Sequence, residues 1–318
     1  MVSINPIRAI NKFKEANENN DFARLTVDNA NAKLITAKDE AHLNLRKLAK
    51  SKMTCYTETV PKLDRILKSC IDYEYAMCKF NGETIKFSPP VMSPALKNQC
   101  DMAESVFKSS ATGLAGGSLM AYAVYGGVST FASASTGTAI STLGGVAARN
   151  ATLSWLGGGS ISTGGGGALF GGAVLGGAAA AVGVVILGIQ LNAQADKAFH
   201  ESEKNYYDAQ KIAEGLEIII SRTEKMTKMV RLARKVLKIL NDTANSLFGD
   251  LEKAIAQYGK SFKAFPDEVQ NRFGMAFQIF DFFNKIAPIE LLNEKGELIE
   301  KSNNELDDLY GEVKKALN

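Results

Sequence analysis

The stretch DKAFHESEKNYYDAQKIAEGLEIIISRTEKMTKMVRLARKVLKILNDTANSLF, residues 196–248, is the clearest fold signal in this 318-residue chain. It contains no proline and one glycine, Gly215. Apolar side chains recur at steps of three or four residues, which is the spacing of a coiled-coil seam. The stretch therefore predicts one helix of about 50 residues, on the order of 75 Å long at 1.5 Å per residue. A helix of this length needs a partner helix to cover its apolar side.

The N-terminal region supplies the expected partner. Residues 1–80 read as helical, with an apolar stripe along one side of the stretch 29–80. Pro61 is expected at a kink or at a helix start. A loop is expected at about 81–94, where Asn81-Gly82 and several prolines occur. We expect the N-terminal helix to pair with residues 196–248 in the antiparallel direction, as in a helical hairpin.

The C-terminal region, residues 249–318, predicts two or three shorter helices separated by prolines and a turn. One of these helices carries large apolar side chains at steps of three or four residues. We expect this face to pack against the bundle as core; it consists of Phe273, Phe277, Phe280, Phe283 and Ile286.

A nearly uncharged block lies in the middle of the chain. Two uncharged runs of 40 and 46 residues are separated by a single charged residue, Arg149, and the block 109–195 holds 21 of the 28 glycines. Its most apolar part is ALFGGAVLGGAAAAVGVVILGIQL, residues 168–191. A membrane-spanning helix needs roughly 20 apolar residues, so this part is compatible with a bilayer.

The glycines of the block recur at four-residue spacing, which leaves one helix face without side chains and allows close helix contact in lipid. We expect eight of them to support membrane insertion and helix packing: Gly113, Gly117, Gly167, Gly171, Gly172, Gly176, Gly177 and Gly183. The alternative is that they serve close packing inside a soluble bundle.

The middle of the block has the composition of a hairpin tip. Arg149, Asn150 and Trp155 precede a run of three glycines, and arginine and tryptophan favour the lipid headgroup boundary. The alternative is a core tryptophan and a surface arginine on a soluble loop.

A basic cluster lies on the stretch 196–248. It is a candidate contact for anionic lipid headgroups, formed by Arg222, Lys225, Lys228, Arg231 and Lys235. Arg234 and Lys238 continue the cluster. The alternative is an ordinary solvated helix face.

Several functions are not expected. The net charge of +3 is too small for a nucleic-acid binder. No GxxxxGK[ST] or GxGxxG motif is present, so no nucleotide or other cofactor is predicted. The two histidines, His42 and His200, have a basic residue four positions on, and no paired carboxylates or nucleophile motif occur. We therefore expect no metal site and no enzyme, and the four cysteines are expected to be reduced and structural.

The N-terminus lacks the apolar core of a secretory signal, because Arg8, Lys12, Lys14 and Glu15 interrupt it. We expect synthesis in the cytoplasm and association with a membrane. Secretion by a route that needs no cleaved signal is the alternative.

These features together predict an all-α fold, an elongated antiparallel helical bundle or coiled coil with a glycine-rich hydrophobic helical hairpin. The expected regions are an N-terminal helical arm (1–108), the hairpin (109–195), a long coiled-coil helix (196–248) and a C-terminal helical segment (249–318).

Residues 135–177, STGTAISTLGGVAARNATLSWLGGGSISTGGGGALFGGAVLGG, resemble a glycine-rich signature of a group of bacterial proteins. The order of long helix, glycine-rich apolar hairpin and long helix resembles α-helical pore-forming proteins of the cytolysin A type, and more loosely apolipoprotein L and the colicins. The resemblance in layout implies a membrane-active protein, and no functional residue is carried over from it.

Three functions are compatible with this sequence. In the first, a soluble bundle shields the hairpin, then inserts it into a lipid bilayer and forms homo-oligomers that permeabilise the membrane. In the second, the hairpin is a constitutive membrane anchor, and the coiled-coil arms, both on the cytoplasmic side, scaffold other proteins or shape the bilayer. In the third, the whole block lies inside a soluble structural bundle.

Overall fold

A computed structural model describes residues 6–72, 77–80, 83–86, 91–111, 122–123, 195–292 and 298–317. The described part is almost entirely helical, which confirms the predicted all-α class and the helical bundle. The helices are α1 (Pro6–Thr54), α2 (Val60–Ser69), α3 (Pro94–Ala111), α4 (Ala195–Tyr258), α5 (Asp267–Ile286) and α6 (Glu300–Leu317).

A π-helical segment, Cys55–Thr59, joins α1 to α2 without a break in helical backbone. Pro61 is the second residue of α2, as the expectation of a helix start requires. A proline ring clashes with the carbonyl four residues earlier and supplies no N–H to it. A wider π turn immediately before a proline relieves that conflict, which accounts for the position of this segment.

A short β-hairpin replaces part of the predicted helix and loop. Strand β1 (Met77–Phe80) pairs antiparallel with β2 (Glu83–Lys86), and Phe80 lies opposite Glu83. The expectation that helix extends to residue 80 is therefore wrong, since α2 ends at Ser69. The pairing brackets Asn81 and Gly82, and Asn-Gly is a favoured two-residue connection between antiparallel strands.

Helix α4 is longer than predicted, since it continues past Phe248 to Tyr258. It ends where Gly259 takes a left-handed conformation with φ +82° and its N–H donates to the carbonyl of Ile255. Glycine adopts this conformation without the steric cost of a Cβ, so it is the usual residue after a helix C-terminus.

The chain divides into two compact units, and α1 and α4 contribute to both. Unit 1 consists of Met1–His42 and Ala173–Lys225, and unit 2 consists of Leu43–Gly172 and Met226–Asn318.

In unit 1, α1 and α4 pack as a coiled coil with a seven-residue repeat. The buried positions at this spacing are Ala16, Ala23, Ala30 and Ala37 of α1 and Ser202, Ala209, Leu216 and Thr223 of α4. Leu34 and Ile220 lie in one apolar cluster with their alanine neighbours. A strict seven-residue repeat of buried side chains keeps the seam facing the partner helix. The prediction that the N-terminal helix is the partner of the long helix is thus confirmed.

The predicted antiparallel direction of this pair is wrong. In unit 1, Asn19 lies against Ser202 at 3.4 Å, the rings of Phe22 and Tyr206 stack at 4.9 Å, and Lys33 pairs with Glu217 at 2.8 Å. Residue numbers therefore rise together on both helices, which makes the pair parallel. The amide of Asn205 also donates to Asn20 at 3.0 Å, and asparagine in a seam favours one register.

Unit 2 shows the same direction. The thiol of Cys55 donates to the carbonyl of Leu237 at 3.7 Å, and Thr59 donates to Asn241 at 2.6 Å. The antiparallel expectation assumed that α4 begins beside the end of the N-terminal helix and returns the chain to its starting end. The actual connection, residues 70–194, is long enough to return the chain to the starting end of α1, so chain connectivity does not require the antiparallel arrangement.

The core of unit 2 confirms the predicted aromatic face of α5. Phe273, Phe277, Phe280, Phe283 and Ile286 are all buried. Phe273 contacts the rings of Phe262 and Phe265, and Phe283 contacts Tyr56 edge-on at 6.2 Å. This face is therefore the interior contact of a packed helix.

Candidate functional site

Most of the predicted membrane-active residues lie outside the described part of the chain. This holds for the eight glycines (Gly113, Gly117, Gly167, Gly171, Gly172, Gly176, Gly177 and Gly183) and for the predicted tip (Arg149, Asn150 and Trp155). Among the residues that the structure describes, no helix is both long enough and apolar enough to cross a membrane.

The five predicted headgroup contacts are described, and all five side chains are exposed. Arg222 and Lys225 belong to unit 1, whereas Lys228, Arg231 and Lys235 belong to unit 2. From the sequence, the basic residues could lie on one face of the helix or be spread around it. In unit 2 they lie on one face, because α4 is buried there on most of its circumference.

Only a narrow face of α4 reaches the surface in the stretch 226–241. The exposed residues of this stretch are Lys228, Arg231, Lys235 and Lys238, at steps of three, four and three residues. Such steps keep side chains on one helix face. Neighbours such as Val230 and Leu237 are fully buried, so the exposed face of α4 at this level is entirely basic.

Helix α1 carries a second basic face at the same level of unit 2. In the stretch 43–54 its exposed residues are Leu43, Arg46, Lys47 and Lys50. The parallel pairing of Cys55 with Leu237 sets the alignment, so Lys47 lies about level with Lys228. Neither stretch contains an aspartate or a glutamate.

We call this set the basic belt. It consists of Arg46, Lys47 and Lys50 of α1 and Lys228, Arg231, Lys235 and Lys238 of α4.

Two side chains of the basic belt have contacts at its C-terminal edge. Lys238 forms an ion pair with Asp242 one turn further along α4. The amine of Lys235 lies 5.8 Å from the centre of the Tyr310 ring on α6. An exposed ion pair between lysine and aspartate is weak. A ligand can therefore compete for the amine of Lys238, and the amine of Lys235 keeps its charge beside the ring of Tyr310.

A buried lysine, Lys52, lies two residues beyond Lys50, the last basic belt residue of α1. Lys52 is 7% exposed, and its amine donates to the backbone carbonyl of Tyr122 at 3.4 Å. The same amine lies 5.6 Å from the centre of the Tyr122 ring. Tyr122 and Ala123 belong to the uncharged block and are fully buried in unit 2. We refer to this contact as the Lys52–Tyr122 anchor.

Burial governs the electrostatics of the anchor. Burial removes solvent from the amine and lowers the pKa of Lys52 from 10.5 to about 8. The negative charge of Glu290 acts in the opposite direction and is the smaller effect. The side chain borders a narrow apolar cavity lined by Leu48, Leu237 and Leu306. Burial likewise raises the pKa of the Tyr122 hydroxyl, which therefore stays protonated and donates to the carbonyl of Gln99 at 3.3 Å.

Gln99 ties the anchor to the rest of unit 2. Its side-chain amide donates to the carbonyl of Ala287 at 3.1 Å, and the residue is buried. Because Tyr122 contacts α1 through Lys52 and α3 through Gln99, this residue of the uncharged block is held on two sides.

The described thiols and carboxylates form no metal cluster, since no group of three or more potential ligands occurs among the described residues. Cys55, Cys70 and Cys100 are free thiols. Burial raises the pKa of Cys70 to about 11 and that of Cys100 to about 12, so both remain protonated at neutral pH. Cys55 and Cys70 are buried and Cys100 is half-buried, and protonated thiols in such positions are unreactive, as expected of structural cysteines.

Sequence reasoning missed the α1 half of the basic belt and the Lys52–Tyr122 anchor. A signal for Lys52 exists, because it falls on the same helix face as Leu45 and Leu48 and so interrupts an apolar stripe with an amine. The contribution of Arg46, Lys47 and Lys50 depends on the parallel register of α1 and α4, which neither stretch encodes by itself.

The chain matches no protein family, no curated protein and no solved structure.

Proposed function

We propose that this chain is a membrane-active helical protein that inserts its glycine-rich uncharged block, residues 109–195, into a lipid bilayer and oligomerises there to permeabilise it. The observation that carries the proposal is the block itself, with Arg149 as its single charge. A stretch of that length without charge has no parallel in the rest of this chain, whose remaining residues carry 70 of its 71 charges.

The burial of Tyr122 and Ala123 supports a shielded starting state. These two residues of the block lie in the interior of unit 2 rather than at its surface. Glycine and alanine gain little free energy from transfer into lipid, so burial in protein and burial in lipid differ little for such a segment. A modest differential interaction with a membrane then shifts the equilibrium toward the inserted state.

The glycines would act after insertion. In lipid no hydrophobic effect drives helices together, and small residues at four-residue spacing allow backbones to approach closely. Substitution of Gly172 and Gly176 by leucine should therefore block assembly and reduce dye release from vesicles, while circular dichroism shows an unchanged helix content. Dye release equal to that of the wild type would remove the glycines from the proposal.

A constitutive membrane scaffold is the second candidate, and the parallel coiled coil of α1 and α4 in unit 1 favours it as a protein-binding arm. The two candidates differ in solubility. A scaffold with a permanent anchor requires detergent for purification, whereas a protein that shields its hairpin stays soluble without detergent.

Vesicle flotation tests the proposal directly. In high salt, which screens attraction between basic side chains and headgroups, the full chain should float with lipid vesicles, and a variant that lacks residues 109–195 should remain at the bottom of the gradient. Flotation of neither protein under any condition of pH or salt would contradict the proposed function.

A further inference from the structure

We propose that the basic belt is a binding surface for anionic lipid headgroups, so that the protein selects membranes rich in anionic lipid. This inference rests on the proposed function and specifies the kind of bilayer on which it acts.

The first support is the charge of the basic belt. On both α1 and α4 the exposed residues at this level are basic with the one exception of Leu43, and neither stretch contains an acidic residue. The chain as a whole carries nearly equal numbers of basic and acidic residues, 37 and 34. The concentration of positive charge on these two helix stretches is therefore a local feature that average composition hides.

The second support is the position of the uncharged block. Lys52, which binds the backbone of Tyr122, lies on α1 immediately after Lys47 and Lys50. Tyr122 of the block is thus held at the level of the basic belt, since Lys52 follows Lys50 by two residues on α1. A surface that binds headgroups at this level would hold this part of the block close to the bilayer. An uncharged block close to the basic belt would not strengthen binding to nucleic acid, whereas it can enter a bilayer. Lipid is therefore the favoured partner.

The third support is the exposure of the basic side chains of α4 between buried neighbours. The exposed face of α4 is narrow, and the flanking residues Met229, Leu232 and Val236 are buried. Lysine and arginine on such a face project away from the bundle. Each basic residue close to an anionic membrane surface raises the affinity of the protein for that membrane about fivefold, which is equivalent to about 1 kcal/mol.

The test is a comparison of vesicle binding by the full chain and two triple variants. The belt variant carries Lys47→Gln, Lys50→Gln and Lys228→Gln. The control variant carries Lys253→Gln, Lys260→Gln and Lys314→Gln, which are exposed lysines of unit 2 outside the basic belt. Both variants lose the same net charge, so any difference between them reports the position of the charge.

Flotation is measured with vesicles of phosphatidylcholine alone and with vesicles that also contain phosphatidylserine. We expect the wild type to prefer the anionic vesicles, with affinity that falls as salt is added. The belt variant should lose roughly a hundredfold in affinity for these vesicles, since three residues each contribute about fivefold. The control variant should lose much less.

Two results would overturn the inference while leaving the proposed function intact: equal binding of the wild type to both kinds of vesicle, or equal losses in the belt and control variants. Tighter binding to a DNA duplex than to anionic vesicles at the same salt would also overturn it. Absence of wild-type binding to both kinds of vesicle would contradict the proposed function itself.

Discussion

The amine of Lys52 donates to the backbone carbonyl of Tyr122 at 3.4 Å and lies 5.6 Å from the centre of its ring. This contact joins α1 to the uncharged block by the backbone of one residue and the face of its ring. It also places an ionisable group in the interior of unit 2, where charge is costly. The Lys52–Tyr122 anchor therefore costs stability at pH values at which Lys52 is charged.

Substitution of Lys52 by methionine should stabilise the protein at neutral pH. Because burial lowers the pKa of Lys52 from 10.5 to about 8, the unfolded chain binds this proton more tightly than the folded chain. The wild type therefore loses up to about 3 kcal/mol below pH 8 and regains it as pH rises from 8 to 10.5. Urea unfolding of Lys52→Met and wild type at several pH values measures the difference between them.

This difference in unfolding free energy should be largest at pH 7 and should shrink between pH 8 and 10.5. The comparison of two proteins cancels the titration of the buried thiols and tyrosines, which both share. Lys50→Met, an exposed neighbour on α1, is the matched control and should show almost no difference at any pH. A difference for Lys52→Met that does not vary with pH would refute the assigned burial of the charge.

The parallel direction of α1 and α4 predicts a specific cross-link in unit 1. Phe22 stacks on Tyr206, so a short bis-maleimide should join Phe22→Cys to Tyr206→Cys within one molecule. The same reagent should not join Phe22→Cys to Ile218→Cys, because position 218 lies about 18 Å further along the helix at 1.5 Å per residue. Mass spectrometry of the linked peptides identifies the pair, and linkage of 22 to 218 alone would contradict the parallel register of α1 and α4.

The aromatic core of unit 2 predicts a large loss of stability for Phe273→Ala. Phe273 is fully buried and stacks on Phe265 with ring centres 4.9 Å apart. Truncation of a buried phenylalanine leaves a cavity and costs about 3–5 kcal/mol. Phe22→Ala, at a residue 47% exposed, should cost less than about 1 kcal/mol. Equal losses in denaturant unfolding would contradict the assigned core.

Local periodicity predicted much of this fold. The steps of three and four residues in 196–248 and on Phe273 to Ile286 correspond to buried faces of α4 and α5, because each pattern is a property of one helix. The direction of pairing was not predictable in the same way. Heptads fit parallel and antiparallel partners alike, and the choice depends on contacts such as Asn20 with Asn205 that join residues far apart in sequence.

The same limit applies to the candidate site. The basic residues of α4 were visible as a cluster, whereas Arg46, Lys47 and Lys50 join them only through the register of two helices. Strands β1 and β2 are not among the sequence predictions, because the expected helix continues past Ser69 to residue 80 and Asn81-Gly82 is assigned to a loop rather than to a two-residue hairpin connection.

The fluorescence of Trp155 tests the central claim most directly, because it is the only tryptophan of the chain and lies within the uncharged block. On addition of vesicles that contain phosphatidylserine, we expect its emission to shift to shorter wavelength. Quenching should be stronger by spin labels near the headgroups than by labels at the acyl-chain ends, since tryptophan favours the membrane boundary. Unchanged emission and no quenching, on vesicles that the protein demonstrably binds, would contradict insertion of the block.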